Sequence, residues 1–436
     1  MNYISIKKLH EKVDEKVQIR GWLHHVRRQG RLIFFVIRDP TGYVQAVAKP
    51  KAIGDTNFKA IEKLTRETAI IAEGIVKEDI RAPYIGIELQ LTAINPAIRN
   101  KYASPELEYE IRPDSGSQVL LDKRHLVLRG EQASDIMRFR DYITRNFRDF
   151  FYSKDFVEVT PSTIVQTQVE GRTTLFAFDY FEQEAFLTQS SQLYLETVLA
   201  SLGNVFCILP SFRAEKSRTR RHLTEYTHIE AEMPWYEFED LIEFMEDMII
   251  FVYSKAKENP ILEKFNSSLE IPSKPFKRVT YEQTIDLLQE YGIKGESEKY
   301  LEYGDDITEG PERALVDKIG SPTFLTHFPT GMKPFYMKLN PKNPEVMNAV
   351  DLLIPNVGEI IGGSQREDDL EVLLDRMREE GLDPKPYYWY IDQRKYGTVP
   401  HSGFGLGLER QVQGLLNLDH IREACLYPRL INRATP

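Results

Sequence analysis

Two stretches of this chain combine residue types that bind anionic and planar ligands. Positions 213–222 contain four arginines, a lysine, a histidine and a single carboxylate. Phosphate oxygens are bound best by several guanidinium groups at once, so a loop of this composition predicts a polyphosphate site. The second stretch, 403–410, alternates glycine with other residues before a helical pattern begins, which lets a backbone approach a flat ring closely. Together the two stretches indicate an ATP site built on antiparallel strands.

The residues around these stretches predict an α+β domain. Apolar residues recur every three or four positions from Gln132 to Phe150, which predicts a long amphipathic helix. A strand at 156–159 follows, and beyond Pro161 strands and helices mix without βαβ regularity, which favours an antiparallel sheet flanked by helices. Polar residues dominate 258–320, which predicts an insertion. We therefore expect a catalytic domain over 131–436.

The N-terminal residues 1–100 predict a separate barrel. Five short alternating strands, with one helical stretch between the third and the fourth, describe an oligonucleotide-binding (OB) fold. This segment contains 17 Lys and Arg against 11 Asp and Glu, whereas the whole chain has a net charge of −10. A basic module on an acidic body favours a polyanionic partner. The proline- and glycine-containing segment 101–130 is expected to be a hinge.

Composition excludes several classes of protein. The chain has 436 residues, 42% of them hydrophobic, but its charged N-terminus lacks an apolar core and no window approaches eighteen apolar residues. We therefore expect a cytoplasmic protein without membrane segments. The two cysteines show no metal-ligand spacing, which argues against a disulfide or zinc framework.

The order of the motifs resembles that of a known enzyme family. The helix, strand and Pro161, then Phe-Arg-x-Glu at 212–215, then Gly-x-Gly-x-Glu-Arg at 405–410 resemble motifs 1, 2 and 3 of class II aminoacyl-tRNA synthetases. With Arg-His-Leu at 124–126, the stretches 189–194 and 358–366, and the barrel, the chain resembles the aspartyl, asparaginyl and lysyl subclass over almost its whole length. The resemblance implies ligation of an amino acid to tRNA through an aminoacyl-adenylate, with ATP converted to AMP and pyrophosphate.

The resemblance also implies roles for the nucleotide-binding residues. Arg213 would hold the α-phosphate together with the amino-acid carboxylate, while Tyr226 and Arg410 would enclose the adenine. Mg²⁺ takes hard oxygen ligands, and Asp351 and Glu359 are expected to bind it. The expected catalytic residues are Arg213 and Arg410, and the expected ATP-binding residues are Arg213, Glu215, Arg221, His222, Leu223, Tyr226, Glu359, Gly405, Gly407 and Arg410.

The amino-acid substrate is expected to be L-asparagine, with tRNA(Asn) as its acceptor. Aspartyl members of the subclass carry a lysine at the position of Leu195, where it pairs with the substrate carboxylate. Leucine there would leave a buried carboxylate unpaired, which disfavours aspartate. Arg366 would donate to the side-chain oxygen and Glu225 would accept from the amide. The expected amino-acid-binding residues are Glu170, Gln189, Gln192, Arg213, Glu225, Gly362 and Arg366.

In the barrel, the resemblance implies anticodon binding by Arg27, Phe34 and Gln45. Bases of single strands stack on aromatic side chains beside a basic groove. Because strand faces alternate, Phe34 is expected to point outward and Phe35 inward. The long helix and Pro161 would form a homodimer interface.

Three other functions remain open at this stage. An aspartyl enzyme would use the same fold, and Leu195 is the residue that argues against it. A tRNA-independent amino-acid-activating relative, such as one that makes asparagine, would resemble the catalytic domain without the barrel. A non-catalytic derivative would have lost motif residues, whereas Arg213, Glu359 and Arg410 are all present.

Overall fold

The chain divides into two units. The computed structural model describes residues 3–99, 101–104, 111, 114–171, 174–216, 220 and 222–436. One unit comprises Met1–Asp114 and the other Ser115–Pro436. Within the described part of the chain, no helix is long and apolar enough to cross a bilayer.

The N-terminal unit is a closed five-stranded barrel with the strand order β1-β2-β3-β5-β4, as expected for the OB fold. Period-two alternation builds it: in β2 the side chains of Ile33, Phe35 and Ile37 are buried, and their neighbours Phe34 and Val36 are only half-buried. The bounds are Lys16–Gln29 (β1), Leu32–Asp39 (β2), Gly42–Ala48 (β3), Pro50–Ile53 (α1), Asp55–Ile61 (α2), Ala69–Glu78 (β4) and Ile87–Pro96 (β5).

The second unit is built on a sheet of eight described strands in the order β12-β13-β16-β17-β18-β11-β10-β6. Its central pairs are antiparallel, whereas the edge pairs β12–β13 and β10–β6 are parallel, so the expected antiparallel sheet is mixed at its edges. The bounds are Val157–Glu158 (β6), Val205–Phe212 (β10), Glu225–Pro234 (β11), Lys277–Thr280 (β12), Thr323–Thr326 (β13), Ala349–Ile354 (β16), Gly358–Gln365 (β17) and His401–Gly407 (β18). Smaller sheets contain Ile164–Val165 (β7), Phe176–Tyr180 (β8), Gln183–Leu187 (β9), Leu339–Asn340 (β14) and Asn343–Met347 (β15).

Helices cover the sheet and form its core with it. The predicted long helix is present as Glu131–Ser153 (α5), and its apolar side packs in one cluster with Phe238–Glu258 (α8). Segment 258–320, the predicted insertion of this domain, contributes β12 to the edge of the central sheet. The other helices are Ser117–Asp122 (α3), Arg124–Val127 (α4), Gln192–Thr197 (α6), Leu199–Leu202 (α7), Pro260–Phe265 (α9), Tyr281–Glu290 (α10), Glu309–Ile319 (α11), Leu370–Glu379 (α12), Tyr388–Lys395 (α13) and Leu408–Leu416 (α14).

Candidate active site

A cavity of about 670 Å³ lies on the central sheet of the second unit. Strands β10, β11, β16, β17 and β18 are hydrogen-bonded neighbours, and they bring together residues that are nearly two hundred positions apart. Most of the residues predicted from the sequence line this cavity. They are Glu170, Gln192, Arg213, Glu215, His222, Leu223, Tyr226, Asp351, Glu359, Gly362, Arg366, Gly405, Gly407 and Arg410. Arg221 lies outside the described residues.

Arg213 is held by carboxylates. It follows β10, and its guanidinium lies 2.6 Å from Glu170 and 3.8 Å from Glu215. The same guanidinium stands over the ring of Tyr226, 5.6 Å from its centroid. Burial acts to lower the pKa of Arg213, but the charge of Glu170, together with smaller contributions from Tyr226, Glu215 and Glu359, outweighs it and the pKa is raised. Arg213 therefore presents a permanent positive charge between two groups of cavity residues.

The expected nucleotide residues form one of these groups. His222 lies 3.4 Å from Glu215, and Arg410 donates to the backbone oxygen of Glu359 at 3.0 Å and to its carboxylate at 3.2 Å. Arg410 is on α14, directly after β18, and the pairing of β18 with β11 brings it to the strand that carries Tyr226. Cations and an aromatic ring thus face one part of the cavity.

The glycines of β18 make room for neighbouring side chains as well as for a ligand. A Cβ atom at Gly405 would lie 2.3 Å from Nε2 of His228, and one at Gly403 would lie 2.1 Å from the Glu232 carboxylate. The imidazole of the adjacent strand therefore requires glycine at position 405, in addition to the room that this glycine is expected to leave for an adenine ring. At Gly407 the nearest heavy atom to a Cβ would be 3.8 Å away, in the side chain of Arg410.

Asp351 and Glu359 converge on one point of the sheet. Asp351 on β16 pairs with Gly362 on β17, and a Cβ atom at Gly362 would lie 3.5 Å from Oδ1 of Asp351 and 3.4 Å from Oε1 of Glu359. Each carboxylate has a cationic neighbour, Lys333 for Asp351 and Arg410 for Glu359. Among the described residues no group of three or more His, Cys, Asp and Glu side chains is arranged to hold a metal. A cation here would need further oxygen ligands from a substrate.

A second group of polar residues lies around Arg366. Its guanidinium contacts the Glu232 carboxylate through Nε and Nη2, at 2.5–3.2 Å, and donates to the hydroxyl of Ser364 at 2.8 Å. Gln192 is oriented by Glu196, a buried residue outside the cavity lining, because the side-chain amide of Gln192 donates to the Glu196 carboxylate at 3.1 Å. Glu196 also accepts from Arg394 at 2.7 Å and contacts the imidazole of His401 at 3.0 Å. Glu196 thus orients Gln192, and Glu232 with Ser364 orients Arg366, before any ligand binds.

Glu230 is a cavity residue that the sequence reasoning missed. It is 2% exposed, and it accepts hydrogen bonds from the Ser190 hydroxyl and, at 2.8 Å, from the backbone N–H of Ser191. Within the described chain, no Lys or Arg lies within ion-pair distance of it. Its charged neighbour would be His228 at 3.3 Å, but burial lowers the pKa of that imidazole. Glu230 is therefore a buried carboxylate that faces the cavity without a permanent counter-ion.

Three residues named from the sequence do not line the cavity. Glu225 is exposed at the start of β11, where its backbone pairs with that of Arg429 in an isolated antiparallel β-bridge, and it does not line the cavity. Gln189 instead supports the loop of Glu170, because its side-chain oxygen accepts the N–H of Glu170 at 3.0 Å. Leu195 is fully buried in a cluster with Leu199, Val205 and Cys207. Leu195 therefore does not line the cavity, so its predicted effect on substrate choice would not come from a direct contact with a ligand there.

In the N-terminal unit, the three expected anticodon residues share one barrel face. Arg27 pairs with Phe34 across β1 and β2, and Gln45 on β3 pairs with Val36, two positions beyond Phe34. Arg27 is exposed, Phe34 and Gln45 are half-buried, and the Gln45 amide donates to Glu88 at 3.0 Å. Trp22, 40% exposed and opposite Arg38, lies on the same face.

Comparisons with known proteins agree on one family. The family described as tRNA synthetases class II (D, K and N) matches residues 116–431, and the OB-fold nucleic acid binding domain matches residues 17–97. The cytoplasmic asparagine–tRNA ligase of Homo sapiens is 46% identical over 434 residues, covering 97% of this chain and 77% of that protein. The asparagine–tRNA ligase of Thermoplasma acidophilum is 42% identical over 431 residues and covers 97% of both. A crystal structure of asparaginyl-tRNA synthetase from Pyrococcus horikoshii complexed with asparaginyl-adenylate has a TM-score of 0.93, 40% identity and full coverage of both chains.

Proposed function

This chain belongs to the class II tRNA synthetases of the aspartyl, lysyl and asparaginyl group, and within it to the asparagine–tRNA ligases, and we propose how its cavity performs that reaction. The asparagine carboxylate attacks the α-phosphorus of ATP and pyrophosphate leaves. A ribose hydroxyl of tRNA(Asn) then attacks the carbonyl of the asparaginyl-adenylate and AMP leaves. The observation that carries this assignment is the position of Arg213 between a nucleotide-binding group and an amino-acid-binding group of residues.

Arg213 supplies the alignment of the two anionic reactants. A guanidinium binds a carboxylate and a phosphate oxygen with its separate N–H donors, so it holds nucleophile and electrophile in one geometry. Glu170 accepts from the α-amino group when substrate separates it from Arg213. Tyr226 and Arg410 enclose the adenine, and His222 contacts the distal phosphates. Positioning and charge stabilisation account for the chemistry, and no covalent intermediate with a side chain is needed.

Glu230 and Arg366 select asparagine. The side-chain amide of asparagine offers two N–H donors and one acceptor oxygen. Glu230 accepts from the amide nitrogen, and Arg366 donates to the oxygen from a guanidinium that Glu232 holds in place. An aspartate side chain would place a second carboxylate against Glu230, which repels it.

Asp351 and Glu359 fit a magnesium site. Mg²⁺ is held in proteins by one or two carboxylates together with substrate phosphates, and these two carboxylates approach the same glycine. When bound with ATP, Mg²⁺ supplies positive charge that offsets the charge of the phosphates. Asp351 and Glu359 would thereby determine on which side of the sheet those phosphates lie.

The barrel face of Arg27, Phe34 and Gln45 binds the anticodon of tRNA(Asn). We assign anticodon binding to residues 1–100, hinge residues to 101–130 and catalysis to 131–436. The active protein is a homodimer in the cytoplasm, in keeping with the relatives that are named cytoplasmic. Sedimentation of the purified chain tests the dimer.

Amino-acid-dependent ATP–pyrophosphate exchange tests the assignment directly. Asparagine, aspartate and lysine are supplied separately with Mg²⁺ and ATP. Exchange with asparagine alone, followed by charging of tRNA(Asn), is the expected result. Exchange with aspartate would contradict the roles of Glu230 and Arg366 and leave the adenylation chemistry in place.

A further inference from the structure

Lys333 lines the cavity, but it belongs to none of the sequence motifs and has no role in the reaction described above. It follows the turn Thr330–Met332, and its ammonium lies 2.7 Å from Oδ2 of Asp351. The ammonium also stands 3.8 Å from the centroid of the Phe328 ring, and the side chain is 19% exposed. Two contacts of this kind hold the charge beside one of the proposed magnesium ligands.

This position is also where two cavities meet. A neighbouring cavity of about 340 Å³ shares His222, Lys333, Asp351 and Glu359 with the main one. The neighbouring cavity adds further carboxylates from the segment around α11, among them Glu309 and Glu312. Lys333 is therefore surrounded by more negative than positive side chains, and its nearest partner is Asp351.

We propose that Lys333 is the counter-ion of Asp351 in the free enzyme and moves to the polyphosphate of ATP when Mg²⁺·ATP binds. This inference rests on the magnesium site proposed above. A bound Mg²⁺ competes with the ammonium for the Asp351 carboxylate, and a lysine ammonium on a flexible stem can turn to a neighbouring phosphate oxygen. Lys333 thus opposes the binding of the bare cation and favours the cation that arrives with nucleotide.

The exchange couples metal binding to nucleotide binding. Without ATP, a divalent cation must displace Lys333 and leave its ammonium in a partly buried site without its closest partner, which is unfavourable. With ATP, the displaced ammonium gains a phosphate oxygen, so the same displacement is offset. The structure therefore predicts weak binding of divalent cations alone and much tighter binding in the presence of nucleotide.

Binding of Mn²⁺ to the full chain, followed by the electron paramagnetic resonance signal of the free ion, tests this mechanism. Lys333→Met keeps an unbranched side chain against Phe328 and removes the charge. We expect it to bind Mn²⁺ without nucleotide at least about tenfold more tightly than the wild type, because a neighbouring like charge is removed. Asp351→Asn in the same background should abolish that gain. Lys338→Met is the matched control, since Lys338 pairs with Asp368 and Glu367 and does not line the cavity.

The nucleotide half of the exchange has its own measurement. Lys333→Met should raise the KM for ATP about tenfold in pyrophosphate exchange and should reduce the tightening of Mn²⁺ binding by a non-hydrolysable ATP analogue. Lys333→Gln provides a second uncharged variant, and thermal unfolding establishes that each variant folds. Unchanged Mn²⁺ affinity in both lysine variants would overturn the inference, while loss of nucleotide-dependent Mn²⁺ binding in Asp351→Asn would leave the metal site standing. If neither Asp351→Asn nor Glu359→Gln altered Mn²⁺ binding with nucleotide, the metal site would fall and the inference with it.

Discussion

Replacing Glu230 by glutamine should weaken the discrimination between asparagine and aspartate. The side chain is 2% exposed and faces the cavity, and its oxygens accept from the Ser190 hydroxyl and the Ser191 N–H. Glutamine has nearly the same shape and removes one negative charge. Its oxygen can keep the Ser191 contact, while its NH₂ donates to the Ser190 hydroxyl, which can reverse its role. The variant is therefore expected to fold.

The size of the effect follows from the charge that is removed. Two unit charges about 4 Å apart interact by roughly 4 kcal/mol at an effective dielectric constant of about 20. Removing one of two facing carboxylates can thus improve aspartate activation by up to about a thousandfold. Asparagine loses the difference between a charge-assisted and a neutral hydrogen bond, about 1 kcal/mol or roughly five- to tenfold. The ratio of kcat/KM for asparagine over aspartate should therefore fall, by at most about 5,000- to 10,000-fold.

The assay is ATP–pyrophosphate exchange at saturating ATP with each amino acid in turn. Glu225→Gln is the matched control, because it makes the same charge change on the same strand at an exposed position outside the cavity. That control should keep the wild-type ratio. A Glu230→Gln enzyme with normal thermal unfolding and an unchanged ratio would refute the reasoning. A change confined to Glu225→Gln would assign selection to the exposed carboxylate.

Three further variants test separate parts of the structure. Arg213→Ala should reduce pyrophosphate exchange by at least about a hundredfold, because it removes preorganised charge at the reacting groups, and normal exchange would contradict this. Phe34→Ala should lower kcat/KM for tRNA charging about 5- to 150-fold, the effect of one stacked base, and leave exchange intact; a defect in both steps would indicate a core role instead. Burial acts to raise the pKa of Glu196, but Arg394 and His401 together hold it well below its usual range. A carboxyl with a depressed pKa stabilises the fold above its unfolded pKa of about 4.3, and that contribution is lost as the pH falls, so urea unfolding from pH 7 to pH 3 should show a flatter acid limb for Glu196→Gln than for wild type. Identical acid limbs would contradict the ionised state of Glu196.

The barrel and the long helix α5 were predictable because each follows a period that the sequence displays. Phe34 and Phe35 lie on opposite faces of β2, as strand alternation requires, and the apolar residues of α5 form one buried stripe. These are local rules. The glycines of β18 are visible in the sequence, but local rules do not explain why position 405 must be glycine, because that requirement comes from His228 on another strand. Which residues of distant strands become neighbours depends on the pairing register of the folded sheet, which local patterns do not specify.

Glu230 was not predicted as a site residue for a related reason, although the sequence contains a signal for it. In β11 the apolar residues Ile229, Ala231 and Met233 alternate with His228, Glu230 and Glu232, and both sets are buried. A strand whose alternate positions are charged and yet buried must face a polar site. Proximity along the chain to motif 2 favours Glu225, whereas the period of two indicates that Glu230 faces the cavity. For Leu195 the sequence contains no such signal, because the residues of a short helix do not show which of its sides faces a cavity.

The pairing of charges in the cavity explains how it can be ordered without substrate and still admit an anionic one. Arg213 is held by Glu170, Arg410 by Glu359 and Lys333 by Asp351. In the proposed mechanism each ion pair fixes a cation near the place where phosphate or carboxylate oxygens would lie, so little reorganisation would remain for the reaction itself. Substrate binding must break these pairs, and part of its interaction energy is therefore used to exchange one anion for another. Such a site sacrifices ground-state affinity for orientation, which is the arrangement that raises kcat rather than lowering KM.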